Sequence, residues 1–248
     1  MSKSISRIFT LAKRNVKEIL RDKISLAFLL GLPLFMEILF YYIFHGLTAQ
    51  FDMKYLAPGI VVFSQAFLTL FAGLLIAVDR NSAFLTRLYV SKARAHEFIF
   101  GYAFALVPIA FMQSVLFFLV GGIIDPSVFG AGMIYGILLS LLPSALFIGL
   151  GILFGSVCSE KSVGGVSSIV VMGQSVLSGM WFPPEGLSSG IQTVMKCLPF
   201  KNASDLLQNA LNGKAISFND FWLPLIIIAV YTAATFIVAI IAFRKKSA

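Results

Sequence analysis

The stretch Ser175–Phe200, SVLSGMWFPPEGLSSGIQTVMKCLPF, breaks an apolar run at Trp181-Phe182-Pro183-Pro184 and then resumes a helical pattern. From Gly186 to Leu198, apolar side chains recur at spacings of three and four, on one face of a helix. This piece is too short to cross a bilayer, which takes about 20 residues. Its apolar face comprises Leu187, Ile191, Val194, Met195 and Leu198.

Pro199 predicts the end of this piece, and a second amphipathic piece covers 204–212, with Gly213 as its stop. We therefore predict a re-entrant helical hairpin over 183–213, bracketed by Trp181 and Trp222 at interfacial depth. The alternative for this segment is a hydrophobic surface loop. We expect the hairpin to close the outer end of a pathway. Its gate residues would be Trp181, Pro183, Pro184, Leu187, Ile191 and Leu198.

The composition around this stretch is that of a membrane protein. Of the 248 residues, 58% are hydrophobic and 12% are charged, whereas soluble domains average roughly 25% charged residues. The sequence predicts an all-α integral membrane protein, with six transmembrane helices in a single domain over 1–248. The spans cover roughly 24–46, 56–78, 98–120, 133–157, 163–182 and 221–243.

The basic residues decide the orientation. With both termini in the cytoplasm, 15 of the 19 lysines and arginines lie on the inner side, as the positive-inside rule requires. Topology thus accounts for the net charge of +8, and no nucleic-acid partner is expected. Cys158 and Cys197 fall on opposite sides of the membrane and cannot pair within one chain. We expect a multi-pass protein of the cytoplasmic membrane.

Residues 1–23 predict an amphipathic helix, with one apolar stripe and basic residues on its other faces. Such a helix is expected in the inner interface, with its apolar face in the lipid and its bases toward anionic headgroups. Two roles stay open. The helix is either a passive anchor or a lever that links a cytoplasmic partner to the first span.

The cytoplasmic loop 79–97 carries an apolar ridge. An exposed apolar ridge is typical of a docking surface, and the alternative is a second helix lying on the membrane. The docking residues would be Phe84, Leu85, Arg87, Leu88 and Tyr89.

Few polar residues lie within the spans. Glu37 is the only acid near the middle of one, where a charge costs about 2.5–3.5 kcal/mol. A role in lining the substrate pathway and a structural interhelical hydrogen bond both remain open for it. The pathway candidates are Glu37, Ser168, Gln174, Ser175 and Ser178.

Two faces of small residues permit close helix contact. One comprises Gly164, Ser168, Ser175 and Gly179, and the other is Gly151 with Gly155. Such faces serve packing within a chain, a subunit interface or a translocation seam.

The sequence offers no catalytic constellation. The chain has two histidines, at 45 and 96, which are too far apart in sequence to form the H-E-x-x-H zinc motif. The phosphate-binding motif G-x-x-x-x-G-K-[ST] is missing as well. We therefore expect no enzyme activity, metal or cofactor in this chain.

Four segments in order resemble the ABC-2 family of ABC-transporter membrane subunits. They are AKRNVKEILRDKISLAFLLGLPL, YLAPGIVVFSQAF, DRNSAFLTRLYVSKARAHEF and LSGMWFPPEGLSSGIQTVMKCLPFKNASDLLQNAL. The third segment departs from the family, where many members carry Arg-Glu-x-Gly-Thr in place of DRNSAF. The resemblance implies six spans, an inner connecting helix, a coupling helix in the first cytoplasmic loop and the re-entrant hairpin.

The resemblance also implies a dimer of permease subunits, expected to be a homodimer, with two separate ATPase subunits that bind ATP and Mg²⁺. Short outer loops and YLAPG are most similar to the multidrug- and antibiotic-export branch. The expected function is export of an amphipathic or apolar compound. A polysaccharide or teichoic-acid permease of the same family remains an alternative, as does, from another class, an ion-coupled secondary transporter.

Overall fold

The computed structural model describes residues 2–81, 95–213 and 217–247, and its elements are all helical. Three short 3₁₀ turns, at Ala49–Phe51, Pro126–Val128 and Pro184–Gly186, and a π-helical turn at Phe218–Trp222 lie between the longer helices. The longer helices are α1 (Ser2–Arg21), α2 (Lys23–Phe44), α3 (Met53–Asn81), α4 (Ala95–Ile124), α5 (Ala131–Leu139), α6 (Leu141–Val157), α7 (Glu160–Leu177), α8 (Ser189–Cys197), α9 (Pro199–Leu211) and α10 (Leu223–Ser247).

A single residue, Asp22, separates the amphipathic helix α1 from α2. Its carboxylate accepts a hydrogen bond from the backbone N–H of Ser25 at 3.0 Å, which caps the first turn of α2. Ser25 also donates its hydroxyl to this carboxylate, and these bonds hold the pKa of Asp22 below its usual value. The capping residue Asp22 and its partner Ser25 therefore explain why a new helix begins at this point.

Helix α3 lies at the centre of the bundle and packs against α2, α4, α6, α7 and α9. Its contact with α6 is close because α6 presents glycines there. A Cβ atom on Gly151 would lie 2.4 Å from the carbonyl oxygen of Thr69, and one on Gly155 would lie 2.5 Å from that of Gly73. The small face of α6 thus serves packing within the chain.

The bundle has two distinct ends, which we call the α1 end and the hairpin end. At the α1 end, Arg80 donates to the carbonyl oxygen of Cys158 at 3.2 Å, just before α7. At the hairpin end, Gln50 donates to the carbonyl oxygen of Gly179 at 2.6 Å, just after α7. Helix α7 therefore runs from one end of the bundle to the other.

Five helical segments in the described chain are long and apolar enough to span a membrane. The predicted span 163–182 corresponds to α7, and it is not among them because the helix begins with Glu160 and Lys161 and contains Gln174, glycines and serines, which together lower its mean hydropathy. Length and composition thus support five of the six predicted spans. They are Lys23–Phe44, Met53–Arg80, Ala95–Ile124, Ala131–Val157 and Phe218–Arg244.

The helices within two predicted spans differ in detail from the apolar runs. The run 133–157 is two helices that meet at Ser140, because Pro143 has no N–H to bond the carbonyl of Leu139. Helix α7 ends at Leu177 rather than at 182, and Gly179 then takes a left-handed φ of +75°. The glycine, rather than Pro183 and Pro184, stops this helix.

Candidate functional site

Ion pairs tie α1 to the ends of α3 and α4. Arg14 donates to both carboxylate oxygens of the buried Asp79, at 2.6 and 2.8 Å, and Tyr102 donates its hydroxyl to the same carboxylate at 2.7 Å. Asp79 raises the pKa of Arg14 above its usual value. Nearer the N-terminus, Arg7 lies 3.2 Å from a carboxylate oxygen of the buried Glu97. A displacement of α1 would therefore act on α3 and α4 directly, through these ion pairs.

The predicted apolar stripe of α1 is divided between two environments. Ala12 and Ile19 are buried against the bundle, whereas Ile5, Phe9 and Leu20 remain exposed. The expectation that the whole stripe faces lipid, with all bases toward headgroups, is corrected accordingly. Part of the stripe packs on the protein, and two of its arginines neutralise buried carboxylates.

The predicted docking residues lie outside the described part of the chain. They are Phe84, Leu85, Arg87, Leu88 and Tyr89. The flanking helices end at Asn81 and begin at Ala95, and both of these helix ends lie at the α1 end, close to the ion pairs of Asp79 and Glu97.

A buried polar seam joins α2, α3, α4 and the α5–α6 junction. Gln113 donates to the carbonyl oxygen of Leu29 at 3.4 Å. This carbonyl lacks its usual helical donor because Pro33, four residues later, has no N–H. Gln65 donates to the hydroxyl of Ser114 at 3.1 Å, and this hydroxyl lies 2.6 Å from that of Ser140. These side chains connect the helices that surround α3.

Glu37 is fully buried where α2, α3 and α4 meet. A Cβ atom on Gly121 would lie 3.3 Å from its Oε1, so the missing side chain of this glycine makes room for the carboxyl group. Neither carboxyl oxygen has a hydrogen-bond partner among the described residues. The interhelical hydrogen bond considered from sequence is therefore not seen in the described part of the chain.

The other predicted pathway residues lie on α7 or at its C-terminal cap, in different environments. Gln174 is buried, and neither polar atom of its side chain has a hydrogen-bond partner among the described residues. Ser168 is exposed, and Ser175 accepts a hydrogen bond from the indole of Trp181 at 3.1 Å. Ser178 lines a cavity at the hairpin end. The five predicted residues thus differ in exposure and in hydrogen bonding, and their shared role in a pathway stays a prediction.

The hairpin region contains two short helices, α8 and α9, as the sequence pattern predicts. The second begins at Pro199, five residues earlier than the predicted Ser204, because proline is well suited to the first helical turn. Its end at Leu211 and the left-handed Gly213, with a φ of +62°, confirm the predicted stop. Pro199 therefore separates the two helices by starting the second.

The two helices of the hairpin differ in burial. In α8 only Met195 is buried, while Ile191 and Val194 are 42% and 49% exposed. Leu206 and Leu207 of α9 are fully buried in the bundle core. The predicted apolar gate face of α8 is thus largely open in this chain, whereas α9 is an integral part of the bundle.

Helix α9 also satisfies backbone groups that two prolines free. Asn212 donates to the carbonyl oxygen of Lys54 at 3.3 Å, and Asn209 donates to that of Asp220 at 2.9 Å. Each carbonyl precedes a proline by four residues and so lacks its usual helical donor. Asparagines of α9 therefore join the hairpin ends of α3 and α10.

A cavity of about 430 Å³ opens between α9 and the chain segments that flank α2 and α7. Lys201 and Asp205, one turn apart on α9, form an ion pair beside it with N–O distances of 2.7 and 2.8 Å. Sequence reasoning missed this cavity, although the spacing of Lys201 and Asp205 on a short amphipathic helix was a signal for the ion pair. The polar residues lining it are Thr48, Gln50, Tyr55, Ser178, Lys201, Asp205 and Gln208.

The chain matches the model of a known protein family. A family model for the ABC-2 type transporter matches residues 6–212. A search of curated protein sequences finds no match. The matched region extends from α1 to the end of α9 and so includes the ion pairs, the polar seam and the cavity.

Proposed function

The chain belongs to the ABC-2 type transporter family, and from this membership we propose that it is the permease subunit of an ATP-driven exporter. Two copies of a separate ATPase subunit would bind ATP and Mg²⁺ and supply the energy. The exported compound would be amphipathic or apolar. The observation that carries this proposal is the family match, which covers most of the chain.

We propose that α7 is a sixth span. Its 18 residues are about 27 Å long at 1.5 Å per residue, close to the roughly 30 Å of the hydrocarbon core. Contacts near its two ends support this proposal, because one lies at the hairpin end and the other at the α1 end of the bundle. With six spans, the α1 end would be cytoplasmic, the hairpin end would face outward, and both termini would lie inside.

Coupling would enter at the α1 end. The apolar ridge of Phe84, Leu85, Leu88 and Tyr89, with Arg87, would dock on the ATPase. The ion pairs of Arg7 and Arg14 support a lever role for α1, because they connect it to the helices on either side of this loop. Movement of the ATPase would then alter the packing of α3 and α4.

Two permease copies would complete the transporter. The small face of α7 supports this arrangement, since a Cβ atom on Gly164 would have no heavy atom within 4 Å and Ser168 is exposed. This face contrasts with Gly151 and Gly155, whose neighbours are in the same chain. The pathway would run along α7, and the α8 face would be its outer gate. Its residues would be the predicted Glu37, Ser168, Gln174, Ser175 and Ser178.

The test reconstitutes the chain with its ATPase in proteoliposomes and follows a fluorescent amphipathic dye. We expect dye movement only when ATP is supplied on the cytoplasmic side. Leu88→Asp should abolish ATPase co-purification and transport, whereas Leu47→Asp, a matched change at an exposed residue of the hairpin end, should leave co-purification intact. Transport that persists without ATP would contradict the proposal and favour an ion-coupled transporter.

A further inference from the structure

We propose that the hairpin-end cavity is a binding site for a neutral, hydroxyl-bearing head group of an amphipathic molecule. The volume of about 430 Å³ falls within the range of small-ligand pockets. Binding at this site follows from its own geometry, while its use by the exported compound rests on the proposed function.

The charge of the cavity favours a neutral ligand. Among the described lining residues, the charged side chains are Lys201 and Asp205, and they neutralise each other at 2.7 and 2.8 Å. Lys201 is mostly shielded, with 19% of its side chain exposed. A ligand with a net charge would have to compete with a preformed ion pair, whereas a neutral one would leave it in place.

The hydrogen-bonding capacity of the cavity favours hydroxyl groups. The amide nitrogen of Gln50 donates to the carbonyl of Gly179, and that of Gln208 donates to the carbonyl of Tyr55 at 3.2 Å. Gln50 also donates to the carbonyl of Met180, so both of its N–H groups are used and its amide oxygen is left as an acceptor. Gln208 can offer a ligand its amide oxygen and its second N–H. The hydroxyls of Thr48 and Ser178 can donate or accept. A group that donates and accepts through several hydroxyls matches this set.

The position of the cavity favours the polar end of an amphiphile. Apolar lining is supplied by Ala49, Pro183 and Pro184. The ring of Trp181, which follows the lining residue Gly179 by two positions, contacts that of Phe40 with centroids 4.3 Å apart and planes tilted by 39°. Tryptophan side chains are enriched at headgroup depth in membrane proteins. A head group could therefore enter the cavity while its chain stays beside the bundle.

The experiment uses the full chain in nanodiscs, without the ATPase, and the fluorescence of Trp181 in a Trp222→Phe background. The probes share an eight-carbon chain and are added below their micellar concentrations. They are octyl glucoside, octylphosphocholine, octyltrimethylammonium and octanoate. We expect a saturable change with octyl glucoside and a weaker response, by tenfold or more, to the charged and zwitterionic probes.

The triple variant Thr48→Val, Tyr55→Phe, Ser178→Ala removes cavity hydroxyls and should weaken octyl glucoside binding by tenfold or more, as expected for several lost hydrogen bonds. Thr193→Val is the matched control, because this exposed threonine lies on α8 and bonds only its own helix in the described chain. Equal binding by the triple variant and the control would overturn the site. Tighter binding of a charged probe would overturn the neutral ligand class.

These outcomes are separable from those of the proposed function. Fluorescence measures binding to this chain alone, whereas the transport assay requires the ATPase and ATP. Loss of ATP-driven transport in the wild-type complex would leave the fluorescence result standing, and a failed titration would leave the permease assignment intact.

Discussion

At the scale of single residues, the buried carboxylate of Asp79 is the most consequential group at the α1 end. It accepts hydrogen bonds from both terminal nitrogens of the Arg14 guanidinium and from the hydroxyl of Tyr102. Removing the cation would leave a nearly inaccessible charge with much less compensation, which is costly in a protein interior. Because Arg14 itself is partly exposed, we expect its removal to lower the free energy of unfolding by a moderate amount for a hydrogen bond between charged groups.

Arg14→Met should therefore lower the free energy of unfolding by about 2 kcal/mol. Thermal unfolding in detergent measures it, with Lys13→Met as the control, since Lys13 is an exposed base next to it on the same helix. Asp79→Asn should restore part of the lost stability in the Arg14→Met background. Identical melting of Arg14→Met and Lys13→Met would contradict the structural role of the ion pair.

Residue types were predictable at this scale, but their pairings were not. The sequence marks Arg14 as one of several bases on an amphipathic helix, and headgroup contact is the expected role for such bases. Its actual partner lies 65 positions away along the chain. Glu37 was recognisable as an isolated acid, yet the space that Gly121 leaves for it follows only from the packing of α2 against α4.

At the scale of helices, α9 is held by side chains that replace missing backbone donors. Asn209→Leu should leave the carbonyl of Asp220 without this donor and cost about 1 kcal/mol. In a Pro224→Ala background the backbone N–H regained at position 224 can bond that carbonyl, so the same change should cost clearly less. A double-mutant cycle of thermal unfolding measures the coupling between the two sites.

The coupling energy decides this prediction. If Asn209→Leu is equally costly in both backgrounds, the asparagine stabilises α9 for a reason unrelated to Pro224. Asn212→Leu with Pro58→Ala provides a second cycle of the same design, at the bond to Lys54.

The hairpin shows how far element-level prediction extends. Its two apolar faces, its turn at Pro199 and its stop at Gly213 could be inferred from local pattern and turn chemistry. The different burial of α8 and α9 could not, because it depends on which helix the bundle encloses. Similarly, the break at Ser140 follows from Pro143, but an uninterrupted apolar run conceals it.

At the scale of the whole molecule, composition and run length predicted a helical membrane bundle, and the family match covers residues 6–212 of it. The cavity at the hairpin end was not predictable in the same way, since its lining comes from segments near residues 50, 180 and 205. Helix α7 is intermediate: its extent was approximately predicted, while its low hydropathy distinguishes it from the five more apolar spans.

The open small face of α7 leads to a prediction about assembly. Ser168 on this face is exposed, whereas the adjacent Ser167 is fully buried against the bundle. In a background with Cys158 and Cys197 changed to serine, Ser168→Cys should form an intermolecular disulfide on mild oxidation in the membrane, seen as a dimer on a non-reducing gel. Ser167→Cys should remain monomeric under the same treatment, because its side chain points into its own chain. If Ser168→Cys also stays monomeric, or if both variants cross-link equally, the small face of α7 faces lipid rather than a second copy.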